Sequence, residues 1–291
     1  MSEFKYDNVT LIIQGSLNEM SLSNIENYRG LCRIVISCWT NNDFTLFEKH
    51  DVSDVDLVVS QDSAEIMPAH SKERYIQKYR QPIKMMPNNI RLHRASTWNV
   101  CNAYRQVKTI LEGVRVADTE FCIKVRSDQS FSDISYFIDK TISAPNKMTC
   151  IDLGFTCDNF VKYGIGDHII GCRTDEFHDA LTMMKMHLER ASFARRYSPP
   201  NPGYDYVIGG EYYDEKKRNM GFEPQFGQCY LLAKGITPDC ENSKKLVMEN
   251  FNIVSHKDLG KFYMKEENIE RYTQLRLSPA EGGFISSFDE L

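Results

Sequence analysis

Residues 102–130 read NAYRQVKTILEG (102–113), VRVADTEF (114–121) and CIKVRSDQS (122–130), and the fold turns on how this stretch is divided. Ala103, Val107, Ile110 and Leu111, with Val100 upstream, recur at three- and four-residue intervals, so one apolar stripe runs along a helix that Ser96 or Thr97 can cap. That helix carries Arg105 and Gln106 and is expected to end near Gly113. After a short joint, FCIKV (Phe121–Val125) reads as a buried strand, and the residues that follow it bring Asp128 to the strand's carboxyl end.

The same alternation extends upstream. VTLIIQ (Val9–Gln14) is a β-branched run that stops at Gly15, RIVISCW (Arg33–Trp39) is a second strand, and DLVVSQD (Asp56–Asp62) is a third. Ser23 as N-cap and Gly30 as a stop predict a short helix between the first two. Strand, helix and strand in series imply an α/β fold, a mostly parallel sheet flanked by helices, in which ligands bind beyond the carboxyl ends of the strands. Gln14 to Ser16, Thr40 to Asp43, Ser60 to Asp62 and Arg126 to Gln129 occupy those positions.

Downstream of Pro145 the pattern is less regular. CIDLGF and HIIGC read as strands, Thr174 to Ala194 as a helix capped at Thr174, SPPNPG (198–203) as a loop, and Gln225 to Ala233 as a further helix. No repeat or low-complexity linker interrupts the chain, which predicts one domain over 1–291 with halves of 1–145 and 146–291.

Composition narrows the function classes. With 42% hydrophobic and 26% charged residues, the 291-residue chain has the make-up of a folded globular protein. A formal net charge of -5 and the lack of a dense Lys/Arg block argue against a nucleic-acid partner. No apolar run approaches the roughly 20 residues of a spanning helix, and MSEFKYDN is polar where a signal peptide is apolar. Nine cysteines without a C-x-x-C pair read as buried thiols in a reducing compartment, so a cytoplasmic location is expected. Arg195-Arg196 and Lys216-Lys217-Arg218 are small basic clusters that either touch anionic head groups at a membrane surface or form a solvated helix face.

A carboxylate at the position of Asp128 can bind a ribose or hold Mn²⁺ or Mg²⁺ against a diphosphate; Asp is also a common polar cap of a turn. Asp167 in YGIGDH, Glu211 in VIGGEYY and Glu223 are candidate general bases, the first two beside glycines that permit close backbone approach, although either of those two can equally be a solvated surface acid. His256 in VSHKD is a candidate metal ligand, although a lone His has many structural roles. Trp39, Trp98, Tyr204, Tyr206, Tyr212 and Tyr213 are rings that can stack on a sugar or a base, or simply pack.

Four segments taken together resemble a known family. VTLIIQGSL (9–17), IENYRGLCRIVISCW (25–39), N-x-x-R-Q (102–106) with Gly113 downstream, and KVRSD (124–128) resemble the WavE-type lipopolysaccharide-synthesis proteins and, more loosely, GT-A glycosyltransferases. The likeness covers about Val9 to Asp128 and continues weakly through GDHIIGC (166–172) and FEPQFGQCYLL (222–232). It implies a GT-A-like sheet with a nucleotide-sugar-binding half (1–145) and an elaborated acceptor half (146–291). It further implies that Gln14 and Gly15 line the nucleotide pocket and that Arg105 and Gln106 lie beside the donor. Lys124, Arg126 and Asp128 would form the motif at the strand end, with Asp167 and the segment from Phe222 to Tyr230 facing the acceptor.

Metal-dependent GT-A enzymes usually carry Asp-x-Asp where this chain has Arg126-Ser127-Asp128, which leaves metal use open. Arg126 can neutralise a diphosphate or pair with a structural acid. The activity implied is transfer of a sugar from a nucleotide-diphosphate donor to a saccharide or lipid-linked acceptor. A nucleotidyltransferase and a non-catalytic nucleotide- or carbohydrate-binding protein are the alternatives, the first weakened by the lack of a Gly-rich phosphate loop after the first strand.

Overall fold

The structure is a computed structural model that describes residues 4–40, 42–61, 103–153, 163–197, 222–238 and 242–264. Three strands, β1 (Val9–Gln14), β2 (Arg33–Trp39) and β3 (Asp56–Ser60), alternate with helices α1 (Glu19–Tyr28) and α2 (Thr45–Glu48). Helix α3 (103–116) leads into β4 (Phe121–Arg126), and β5 (Gln129–Phe131) and α4 (Ser135–Ser143) come next. The remainder is β6 (Met148–Ile151), β7 (Ile169–Arg173), α5 (Thr174–Tyr197), α6 (Phe222–Ala233), α7 (Ser243–Asn250), β8 (Phe251–Val254), a 3₁₀ turn (His256–Leu259) and β9 (Phe262–Met264).

Seven strands form one sheet in the order β3-β2-β1-β4-β7-β6-β8. β1 pairs in parallel with β2 and β4, β2 with β3, and β6 with β8; β7 alone runs antiparallel to its neighbours β4 and β6. The protein therefore has a mostly parallel central sheet flanked by helices. β5 and β9 make a separate two-stranded antiparallel sheet.

Strand alternation divides the core in two. Ile12, Val35, Cys122, Cys150 and Ile170 point to one face, where Val107, Ile110 and Leu111 of α3, Phe177 and Leu181 of α5, and Phe226 and Tyr230 of α6 cover them. Leu11, Ile13, Ile34, Ile36, Ile123 and Ile169 point to the other, under Leu22, Ile25 and Tyr28 of α1 and Phe137 and Ile138 of α4. Both faces are buried along β1, β2, β4, β6 and β7, which is why these strands read as continuous apolar runs rather than as alternating ones, while β3 at the edge leaves Leu57 and Val59 exposed.

Several boundaries differ from the sequence reading: β3 ends at Ser60, β6 spans Met148–Ile151, β7 spans Ile169–Arg173 and α6 begins at Phe222, and three helix ends have a clear cause. α1 begins at Glu19, ahead of Ser23, because Asn18 and Ser21 cap it reciprocally: Ser21 N donates to Asn18 Oδ1 (3.1 Å) and Asn18 N to Ser21 Oγ (3.2 Å). α3 runs through Gly113 to residue 116. Gly113 marks a close helix-to-sheet approach, since a Cβ there would lie 2.7 Å from Ile12 Cγ2. α5 extends to Tyr197, and the Thr174 hydroxyl, expected as its cap, donates instead to the Thr119 carbonyl (2.7 Å).

Cys32, Cys38, Cys122, Cys150, Cys172 and Cys229 are free and buried. Burial pushes the thiols of Cys32 and Cys122 up to about 12 and that of Cys38 to about 11. At pH 8 these six should react with a thiol-disulfide reagent only at the rate of unfolding, because the thiolate is the nucleophile. A thiol count against time, native and in urea, checks this; rapid native labelling of any of the six would contradict their burial.

Candidate functional site

The carboxyl ends of β1 and β4 and the start of β7 meet under α3, and charged side chains gather there. Arg126, the last residue of β4, donates from Nε to Asp128 Oδ1 and from Nη2 to Asp128 Oδ2, both at 2.9 Å. Its Nη1 donates to Asp167 Oδ2 at 2.8 Å, and Gln106 Nε2 of α3 donates to the same oxygen at 3.3 Å. Lys124, wholly buried, directs its ammonium to the Asp167 carbonyl. The side chain of Asp167 is 5% exposed, whereas those of Asp128 and Arg126 are 25% and 27% exposed, so the outer pair faces the open edge of the sheet.

The ionisation states follow from this geometry. Burial would raise the Asp167 carboxyl, but the charges of Arg126 and Lys124 hold it far below the ordinary carboxylate range. Burial likewise opposes ionisation of Asp128, and the Arg126 hydrogen bonds and charge carry it below its usual value. The Asp167 charge, with both acids bonded to it, raises the Arg126 guanidinium against its own burial. Next in the chain, His168 is buried, its Nδ1 lies 2.7 Å from Gln129 Oε1, and burial lowers its pKa to about 4.

Gln14 and Gly15 lie at the end of β1 as expected. Gln14 is buried and turns its amide to Thr109 Oγ1 of α3 (2.9 Å). Gly15 has φ 137, and a Cβ there would lie 2.3 Å from Ser127 Oγ, so this turn packs directly on the Asp128 turn and excludes any side chain. Arg105 is half-buried on α3, and its carbonyl accepts from Thr109 Oγ1. Glu211 lies outside the described residues, as do Trp98, Tyr204, Tyr206, Tyr212 and Tyr213; Trp39 is a buried residue of β2.

His256 has a different partner from the one a shared metal would require. Its Nδ1 lies 2.7 Å from Asp152 Oδ1, and its backbone N–H donates to the same oxygen at 2.8 Å. Burial raises the Asp152 carboxyl, and the bonds from His256 more than offset it, leaving the pKa below normal. Asp152 stands inside CIDLGF as read from the sequence, and it becomes a residue of the strand's carboxyl end only because β6 stops at Ile151.

A divalent cation does not fit the donor set as arranged. Both oxygens of Asp128 accept from a guanidinium, Asp167 shares that guanidinium, and Lys124 adds a second cation close by. A metal would have to share each Asp128 oxygen with the guanidinium and sit against the charges of both Arg126 and Lys124. Among the described residues no three of His, Cys, Asp and Glu gather at one point, and no helix is long and apolar enough to cross a membrane.

No protein family matches the chain and no curated protein does, so the WavE-type resemblance stands on the quoted motifs alone. Solved structures give distant likenesses. One is the 4-diphosphocytidyl-2C-methyl-D-erythritol synthase of Anaerococcus prevotii, at 10% identity and TM-score 0.37, covering 94% of this chain and 98% of that one. A second is galactosyltransferase LgtC in complex with donor and acceptor sugar analogues, at 9% identity and TM-score 0.40, covering 78% and 72%. A third is HddC of Yersinia pseudotuberculosis, at 11% identity and TM-score 0.32, covering 59% and 78%. Likenesses this faint carry no argument about activity.

Proposed function

We propose that this protein is a glycosyltransferase that takes a sugar from a nucleotide-diphosphate donor and passes it to a saccharide or lipid-linked acceptor. The observation that supports this best is the Asp128–Arg126–Asp167 array at the carboxyl edge of a mostly parallel sheet, where such folds bind ligands.

An ionised carboxylate has about four acceptor directions, and Arg126 uses two of those on Asp128. The rest suit the vicinal hydroxyls of a ribose or a hexose. Among the described residues Gln106 Oε1 is buried and accepts no hydrogen bond, so a turn of this side chain toward the edge of the sheet would give it a ligand hydroxyl as a donor. Three of the five N–H groups of Arg126 are spent on Asp128 and Asp167, which leaves two to direct at a diphosphate oxygen. The formal charges of Lys124, Arg126, Asp128 and Asp167 cancel, so anion binding here rests on aimed N–H groups rather than on net charge. In this reading Asp167 anchors Arg126: buried, ion-paired and held strongly acidic, it is a poor proton acceptor.

A thermal-shift screen against UDP-, GDP-, CMP- and ADP-sugars, with EDTA and with Mn²⁺, tests the reading. One nucleotide family at about 100 times its dissociation constant should add about 2.7 kcal/mol, in EDTA as in Mn²⁺, and Asp128→Ala should abolish the gain. No shift with any donor in a folded sample refutes the donor site. Formation of a nucleotide sugar from a sugar-1-phosphate and a nucleoside triphosphate would make the protein a nucleotidyltransferase instead. Donor binding with neither transfer nor hydrolysis would make it a binding protein.

A further inference from the structure

Near the Asp128 turn lies a cavity of about 480 Å³ between α1 and the β5–β9 sheet. That volume falls in the range of small-ligand sites. Its walls are Glu19, Ser23 and Asn27 of α1, and Ser130, Ser132 and Tyr263 from the small sheet and its flank, with Met20 as the one aliphatic contribution.

The cavity is built on a fixed frame. Asn24 Nδ2 of α1 donates to the Gln129 carbonyl (2.7 Å), while Tyr28 Oη both donates to the Phe131 carbonyl and accepts from Phe131 N–H (2.9 Å each). Asn24 and Tyr28 are fully buried, so these bonds clamp α1 to β5 in a dry interface. The neighbouring stripe of α1, at 19, 23 and 27, is thereby turned toward the cavity. Ser130 and Tyr263 are cross-strand partners in the β5–β9 ladder and share one face, while Phe131 and Phe262 stack at 4.8 Å on the other. Ser130 forms the floor and Tyr263, 47% exposed, stands as an open aromatic wall.

The chemistry of the walls selects the ligand. Among the described residues no Lys, Arg or His lines the cavity, which disfavours a phosphate or a carboxylate, and one Met gives too little apolar surface for an acyl chain. What remains is an aromatic face beside three hydroxyls, an amide and a carboxylate. Among the described residues the Glu19 carboxylate and the Tyr263 hydroxyl make no hydrogen bond or ion pair, and the Asn27 amide reaches only Ser23 and Ser130, at 3.5 and 3.4 Å. A pyranose meets all of this, with C–H groups on one face for the ring and a rim of hydroxyls for the polar groups.

We infer that this cavity is a saccharide-binding subsite with Tyr263 as its stacking platform. Ser130 follows Asp128 by two residues, which puts the subsite beside the proposed donor position; its assignment to the acceptor rests on the glycosyltransferase reading above. Saccharide binding itself does not.

Saturation-transfer NMR on the full chain, with glucose, galactose, mannose, N-acetylglucosamine and the disaccharides lactose and cellobiose as probes, tests it. At least one probe should receive saturation, its affinity should fall tenfold or more in Tyr263→Ala, and Tyr263→Phe should keep most of it. Asn27→Ala should weaken the same probe several-fold. Tyr136→Ala, which removes another exposed ring, on α4 and outside the cavity walls, should leave binding unchanged. Saturation of no probe overturns the inference, as does binding that survives Tyr263→Ala or falls equally in Tyr136→Ala. Melting curves of each variant show that a loss is not unfolding. Donor shifts lost in Asp128→Ala without any saccharide binding would overturn the subsite alone, while saccharide binding without donor shifts would remove only its acceptor assignment.

Discussion

Arg126→Ala is expected to destabilise the protein by about 3–5 kcal/mol at pH 7, the cost of breaking a buried ion pair from one side. The substitution leaves Asp167, 5% exposed, facing Asp128 with only Lys124 and Gln106 to compensate. The pH dependence separates this from a simple loss of packing. In the wild type Asp128 and Asp167 have folded pKa values below the unfolded value of about 3.9, so their contribution is complete above that pH and is lost as pH falls beneath it. In the variant, burial is no longer outweighed and Asp167 protonates in the folded state at higher pH. The gap between wild type and variant should therefore be widest near neutrality and narrow steadily toward pH 4. Urea melts at pH 7, 5.5 and 4 measure it; a gap constant across that range would mean that the carboxylates do not depend on Arg126.

Gly227→Ala should cost about 3 kcal/mol or more, at the upper end of overpacking penalties. A Cβ at this position of α6 would lie 2.2 Å from the Tyr163 carbonyl oxygen, a backbone atom that cannot rotate away. Tyr163 is fully buried in the same core as Phe226, Cys229 and Tyr230, so neither the helix nor the facing segment can retreat without opening it. Gly235→Ala is the control: nothing lies within 4 Å of a Cβ there, and its φ of 73 isolates the left-handed backbone cost of roughly 1–2 kcal/mol. If Gly227→Ala melted no earlier in urea than Gly235→Ala, the close approach of α6 to Tyr163 would be refuted.

The strands of the first half were legible because a buried parallel strand needs an unbroken apolar run. VTLIIQ and RIVISCW lie in the structure with the boundaries read from the sequence, and FCIKV is one residue short of β4. Helix ends were less legible, since the residues that set them act through contacts with other segments. Ser23 is as good an N-cap as Asn18 in isolation, and the choice falls to Asn18 because Ser21 completes a reciprocal pair with it. Gly113 looks like a stop for the same local reason, yet its lack of a Cβ serves contact with Ile12 across the sheet.

The rule that ligand residues follow the carboxyl ends of strands led to Gln14, Gly15, Arg126 and Asp128 from spacing alone. That rule could not reveal that Arg126 closes on Asp128 and Asp167 at once, because Asp167 lies 41 residues further on and arrives through β7, the one strand of the large sheet that runs against the others. Nor could it show Asp152 holding His256 from 104 residues away. Local pattern sets which segments are strands and which residues stand at their ends, because strand propensity and burial act over a few residues. Which charges neutralise one another, and so whether a carboxylate is open to a metal, bonded to a guanidinium or turned to a ligand hydroxyl, is decided only by the order of strands in the sheet, since a charge answers to distance in space rather than to separation along the chain.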